Sequence, residues 1–181
     1  MLIFLISCGQ KSTRRADSMH ASYSIDYHVE VIKVSGGDTL IGLTSNNERV
    51  RFRLQGIDAP ERRQAFSNRS AEKLSELIYG KSVGIQVHTQ SDRYDRPVVY
   101  AYTPEGLDVC AEMLRSGMAW HYKHYDDTEL YDRLERNARK RKVGLWQDKR
   151  PVPPWEYRKM EKQRSNPIII PVLSGKIPII S

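Results

Sequence analysis

Apolar and polar residues begin to alternate at Tyr23, after a stretch with no period. From there to Val34, Ile25, Tyr27, Val29 and Val31 fall on one face, with Asp26, His28 and Glu30 on the other. A period of two predicts a strand with one buried face. Ser35-Gly36-Gly37 reads as a turn into a second short strand, Thr39 to Leu43, and Asn46-Asn47 closes a hairpin. Arg49 to Leu54 alternates again, with Val50, Phe52 and Leu54 inward and Arg49, Arg51 and Arg53 outward.

The period then changes. Ala71, Leu74, Leu77 and Ile78 form a stripe at helical spacing, with Ser67 as its cap and Gly80 as its stop. Val83, Ile85 and Val87 predict a fourth strand, and Val98 to Tyr102 a fifth. Asp108 caps a second helix through Val109, Met113 and Leu114, which Gly117 ends. Asp126 and Glu129 have capping-box spacing for a third, through Leu130, Leu134 and Ala138 to Gly144. This order predicts an α+β fold, a five-stranded oligonucleotide-binding (OB-fold) barrel with three helices. The count by itself leaves other α+β folds open.

The ends differ from this middle. Met1 to Ile6 is almost wholly apolar and runs into Leu5-Ile6-Ser7-Cys8-Gly9, which resembles a bacterial lipobox. On that reading Cys8 is a lipidation candidate, and the protein is a membrane-anchored lipoprotein or a secreted protein, outside the cytoplasm. The competing reading is a stray apolar start, since the stretch is short and no basic residue precedes it. Gln10 to Ser22 is a polar tether, so residues 1–22 stand apart from a domain at 23–150. Residues 151–181 form a Pro-rich extension. Pro151, Pro153 and Pro154 argue against regular structure there, and Pro167 to Ser181 predicts an extended segment too interrupted to span a membrane.

Charge and cysteine content narrow the classes. The net charge of +7 favours a polyanionic partner. Two cysteines, Cys8 and Cys110, cannot make a disulfide framework, and Cys110 near Met113 reads as a small buried apolar residue. His121 and His124 lack a third ligand at zinc spacing.

Three segments carry candidate chemistry: Gly36-Gly37-Asp38-Thr39, Phe52 to Glu61, and Asp92-Arg93-Tyr94-Asp95-Arg96. In the second, Pro60 fixes its own φ and pushes Ala59 towards extended geometry, which sets the directions of Asp58 and Glu61. Asp38 and Asp58 could offer hard oxygen ligands to Ca²⁺. Glu61, kept off the metal, could accept a proton from water, while Arg53 and Arg96 grip phosphate oxygens. Any one of these is, taken singly, an ordinary surface residue; the combination is what argues for a site.

That combination, in this order from about Tyr23 to Trp146, resembles the staphylococcal nuclease family. The Gly117-Met118-Ala119-Trp120 and Gly144-Leu145-Trp146 segments share in the resemblance. The resemblance implies a calcium-dependent, sugar-nonspecific endonuclease hydrolysing DNA or RNA to 5′-hydroxyl and 3′-phosphate products, acting as a monomer. It implies metal ligation by Asp38, Asp58 and the Ala59 carbonyl, and catalysis by Glu61, Arg53 and Arg96. It assigns substrate contacts to Arg93, Tyr94, Tyr122 and Tyr125, of which the last two also read as packing residues. Departures are Ala59 in place of threonine, Asp95 and Pro97 where glycine is frequent, and a shorter loop after Glu61. A catalytically silent binding module and a surface interaction protein are the competing functions.

Overall fold

The computed structural model describes residues 24–165. The alternation seen in the sequence becomes β1 (Tyr27–Gly36), β2 (Thr39–Leu43) and β3 (Arg49–Leu54). A two-residue strand, β4 (Ile57–Asp58), precedes α1 (Ser67–Ile78). Then come β5 (Ser82–Thr89), β6 (Val98–Tyr102), α2 (Val109–Arg115), β7 (Trp120–His121) and α3 (Glu129–Arg141). A 3-10 turn at Gly144–Gln147 leads to α4 (Pro154–Ser165).

Strands β1-β2-β3-β6-β5 close into a barrel, as the five-strand reading expects. Closure leaves no edge open to other chains. Inward positions of the alternating runs are buried: Val29, Val31, Leu40, Phe52, Leu54, Val83, Ile85 and Val99 form its core with Leu74 and Ile78 of α1. Each such side chain contributes roughly 2 kcal/mol by leaving water. The β2–β3 hairpin turns where Asn47 adopts φ 60° and its N–H reaches Thr44 O at 2.9 Å. Register places Thr39 opposite Arg53, and Arg53 beside Val98 in the parallel β3–β6 pair. One end of the barrel thus gathers the residues flanking Asp38, Arg53 and Arg96.

Several local readings shift. Ser67 is the first residue of α1 rather than its cap; Phe66 takes the capping position in a left-handed conformation, without a side-chain bond. Asp108 does cap α2, accepting from Ala111 N at 3.0 Å. Asp126 makes no capping box with Glu129. Thr128 is the N-cap of α3, and Asp126 instead binds His121 Nε2 at 2.9 Å.

The fourth helix is the larger difference. Pro153 and Pro154 do not prevent regular structure. Pro154 opens α4, where its missing N–H costs nothing because the first helical N–H groups have no intrahelical acceptor. Trp155 of α4 packs against the smaller cluster of Trp120, Ala138, Leu145 and Trp146. Cys8 and the Pro167 to Ser181 segment lie outside the described residues. Cys110 is fully buried in the core.

Candidate active site

Asp58 owes its place to a pairing that no periodicity announces. β4 runs antiparallel to β7, with Ile57 opposite His121 and Asp58 opposite Trp120. β7 is in turn held by Glu135 of α3, whose carboxylate accepts from His121 N at 3.3 Å. Gly56 precedes this strand with φ 75°, and a Cβ there would meet Asp126 and Tyr131 at 2.9 Å. Only glycine fits both the angle and the space.

Asp38 sits at the turn into β2. Its Oδ1 accepts from the Thr39 hydroxyl at 2.9 Å and its Oδ2 from Ala59 N at 2.9 Å. Its carbonyl accepts from Leu54 N at 2.9 Å. The turn before it lies tight on α1. A Cβ on Gly37 would come within 1.7 Å of Ser70 Oγ and 2.8 Å of Ala59 Cβ.

Arg53 joins the two aspartates. Its Nη1 is 3.1 Å from Asp38 Oδ2 and its Nη2 is 3.0 Å from Asp58 Oδ1. Asp58 is only 1% exposed. Burial pushes its carboxyl above the usual aspartate value. The Arg158 hydrogen bond and the Arg53 charge pull it back, while the Asp38 charge adds to the rise.

Glu61 follows on the same loop and is 39% exposed. Its N–H donates to Gln64 Oε1 at 3.0 Å, and Gln64 Nε2 donates to Val152 O at 2.5 Å. That pair of bonds ties the catalytic-candidate loop to the chain entering α4. Arg158 of α4 completes the cluster, with Nη1 2.6 Å from Glu61 Oε1 and Nη2 2.9 Å from Asp58 Oδ2. Burial works against its charge, but the bonds it donates to Asp58 and Glu61 outweigh this and hold its pKa above the ordinary arginine value.

Arg53, Asp38, Asp58, Ala59 and Glu61 are therefore brought together. The guanidinium of Arg96 is not part of that contact set. Main-chain pairing carries its segment to β3, since Arg53 N donates to Pro97 O at 2.9 Å. Its Nε and Nη2, however, both bind Asp92 Oδ2, at 3.1 and 2.7 Å. Asp95 takes the left-handed conformation at φ 55°, as a residue standing where glycine is frequent must. Tyr94 is 62% exposed, with Arg93 and Arg96 over its ring at 4.8 and 5.2 Å.

Tyr122 and Tyr125 lie edge to face at 4.9 Å, in a groove of about 710 Å³ with Lys123, Arg136, Trp155 and Lys159. Trp155 stacks flat on Tyr122 at 5.2 Å, so one face of that ring is already covered. Tyr125 is 62% exposed.

Among the described residues no three His, Cys, Asp or Glu side chains form a ready metal cage. The oxygens of Asp38 and Asp58, with Ala59 held to Asp38 through its N–H, still suit a hard cation. They converge closely enough to share one guanidinium, and hard oxygen donors with room for water are what Ca²⁺ takes.

Comparison with known proteins gives the family. The family described as Staphylococcal nuclease homologue matches residues 51–148. The chain belongs to the staphylococcal nuclease homologue family. Relatives include an uncharacterized endonuclease of Haemophilus influenzae, 40% identical over 132 residues, covering 73% of this chain and 73% of that protein. A micrococcal nuclease of Shigella flexneri is 34% identical over 152 residues, covering 78% of this chain and 86% of the relative. An uncharacterized endonuclease of Escherichia coli is 40% identical over 133 residues, covering 74% and 86%. The family match takes in Arg53, Asp58, Ala59, Glu61 and Arg96, and ends before α4.

Arg158 had no signal in the sequence pattern. It follows a proline cluster and lies on a helix of mixed polarity. The one available hint was Pro-Pro-Trp-Glu, which is an acceptable helix entry as well as a break.

Proposed function

We propose that this chain is a nuclease that hydrolyses phosphodiester bonds in DNA and/or RNA, with Ca²⁺ as cofactor. Membership of the family and the nuclease names of its relatives support the nuclease class. The observation that carries the mechanism is Arg53 bridging Asp38 and Asp58, with Glu61 on the adjoining loop. This is an acidic cluster with a guanidinium at its rim, suited to a phosphate approaching beside a cation.

Asp38, Asp58 and the Ala59 carbonyl would hold the calcium ion. Bound there, the ion would polarise a phosphate oxygen of the scissile ester. Glu61 accepts a proton from the attacking water, which its partial exposure permits. Arg53 binds a phosphate oxygen and stabilises the charge that grows on it. Arg96 does the same from the loop before β6, with Asp92 fixing its Nε and Nη2 and leaving Nη1 for the ester. Tyr125 offers an exposed ring to bases, Tyr94 an exposed ring beneath Arg93 and Arg96, and Arg93 supplies a phosphate contact. Such stacking tolerates any base, in keeping with an enzyme that does not select by sequence.

The Leu5 to Gly9 segment supports export, with Cys8 as the site of lipid attachment and the enzyme held at the outer side of a membrane or released. Metabolic labelling with a lipid precursor, lost in Cys8→Ser, tests this.

The nuclease reading is tested by digesting single- and double-stranded DNA and RNA with added Ca²⁺ and with chelator. Digestion that depends on Ca²⁺ is expected. Digestion unaffected by chelator would remove the cofactor assignment, and no digestion of any polymer would remove the enzyme.

A further inference from the structure

The proposed mechanism gives no task to Arg158, although its guanidinium is placed as firmly as any group in the site. Asp58 accepts on Oδ1 from Arg53 Nη2 at 3.0 Å and from Arg158 Nη1 at 3.2 Å. It accepts on Oδ2 from Arg158 Nη2 at 2.9 Å. The same Arg158 Nη1 reaches Glu61 Oε1 at 2.6 Å. One guanidinium thus spans the carboxylate assigned to cation binding and the carboxylate assigned to proton acceptance.

This placement is built, not incidental. α4 is seated by buried Pro154, by the Trp155 ring on Tyr122 and by the edge of Trp155 on Trp120 at 5.7 Å. The segment leading into it is clipped to the Glu61 loop through Val152 and Gln64.

We propose that Arg158 is a resident counter-cation of the active site, and that a divalent cation enters the Asp38–Asp58 seat by displacing its guanidinium from Asp58 and Glu61. The inference rests on the calcium reading above.

Lone-pair geometry and charge together favour the displacement. Each carboxylate oxygen offers two acceptor directions. Both on Asp58 Oδ1 are taken by guanidinium N–H groups, and Arg158 takes one on Oδ2. A calcium ion needs its oxygens at about 2.4 Å, and a guanidinium bonded to the same oxygens would face it as a like charge. Loss of Arg158 alone opens Oδ2 fully while Arg53 keeps its bridge.

The charges balance in the same way. Asp38, Asp58 and Glu61 bring three negative charges, and Arg53 and Arg158 bring two positive. Exchange of Arg158 for a divalent cation leaves three against three. While Arg158 stays, its guanidinium engages Glu61 Oε1, so one exchange both clears the cation seat and releases that oxygen for proton acceptance. The displaced group has somewhere to go. Arg158 is 34% exposed and borders an open depression of about 380 Å³ that Glu161 also lines.

Calcium titration calorimetry on the full chain and on Arg158→Met tests the exchange, with the Arg158 Nε–H resonance of the unsubstituted protein followed by NMR. The variant should bind Ca²⁺ about tenfold more tightly, the gain expected from removing about 1.4 kcal/mol of competition. The Arg158 resonance should shift or broaden as Ca²⁺ saturates. Equal or weaker binding by the variant, or an unmoved resonance at saturation, overturns the exchange and leaves the calcium reading intact. Absence of Ca²⁺ binding by both proteins overturns both. If the variant does not fold, the resonance decides alone.

Discussion

Asp92 holds Arg96 from side chain and main chain together: Oδ2 accepts from Nε at 3.1 Å and Nη2 at 2.7 Å, and Oδ1 accepts from Arg96 N at 3.0 Å. A planar guanidinium fixed along one edge presents its remaining edge in one direction, as a phosphate-binding group must. Asp92→Asn keeps the loop bonds but weakens this grip. Turnover should fall about tenfold, the loss expected from a slightly misplaced binding group, while the far-ultraviolet spectrum stays unchanged. Steady-state kinetics on a defined oligonucleotide measure it.

The same residue sets an acid limit. Burial pushes the Asp92 carboxyl up, but the bonds from Arg96 and from Tyr94 N outweigh it and hold its pKa below the ordinary value. A carboxyl depressed in the folded state stabilises the protein above its unfolded pKa. That contribution is lost as pH falls through the folded value. From about pH 4 downward, the melting temperature of the unsubstituted chain should therefore fall more steeply than that of Asp92→Asn. Parallel slopes would show that Asp92 carries no folded-state shift.

Glu61→Gln removes the proposed proton acceptor while keeping its size and its contact with Arg158. A loss of about 10²–10⁴ in turnover is the range for a general base. A melting temperature within a degree or two of the original is expected, because Glu61 is half exposed and makes no core contact. Retained turnover would return the group to a purely electrostatic role.

Gly37→Ala should cost about 1–3 kcal/mol, the usual penalty of overpacking. The new methyl meets both Ser70 and Ala59. Adding Ser70→Ala removes the nearest obstruction but leaves Ala59 Cβ at 2.8 Å, so urea denaturation should show only partial recovery. Because this turn carries Asp38, Ca²⁺ affinity should drop alongside stability.

Tyr131→Phe tests a buried hydrogen bond behind the Gly56 turn. The Tyr131 hydroxyl donates to Asp108 Oδ2 at 2.7 Å, and Asp108 caps α2 with its other oxygen. Its removal strands a buried carboxylate oxygen and should cost about 1–2 kcal/mol in chemical denaturation. Turnover should be unchanged, since Tyr131 does not reach the acidic cluster.

The sequence made the barrel readable wherever one face is buried over several residues. β2, β3 and β6 keep the bounds read from the sequence, and Phe52 and Leu54 point inward as Arg53 points to the site. Asp38, Asp58, Ala59 and Glu61 were legible as a group, because a carboxylate pair around a rigid Ala-Pro step is unusual in a plain loop. The rest depended on partners distant in the chain. β4 and β7 are too short to show a period, and each exists only because the other is there. Phe66 displaced Ser67 as cap because its left-handed backbone already turns the chain. Asp126 binds His121 and Thr128 instead of capping α3 itself. Arg96 was read as a phosphate group without its holder Asp92, and Arg158 could not be seen until α4 folded back.

The hairpin of β2 and β3 has a consequence for the order of assembly. Asp38, Arg53 and Asp58 lie within one short stretch of chain, and closing so small a loop is entropically cheap. The guanidinium on α4 arrives from 100 positions further along. During synthesis the acidic pocket can thus be half formed while its inhibitory counterpart has not yet left the ribosome.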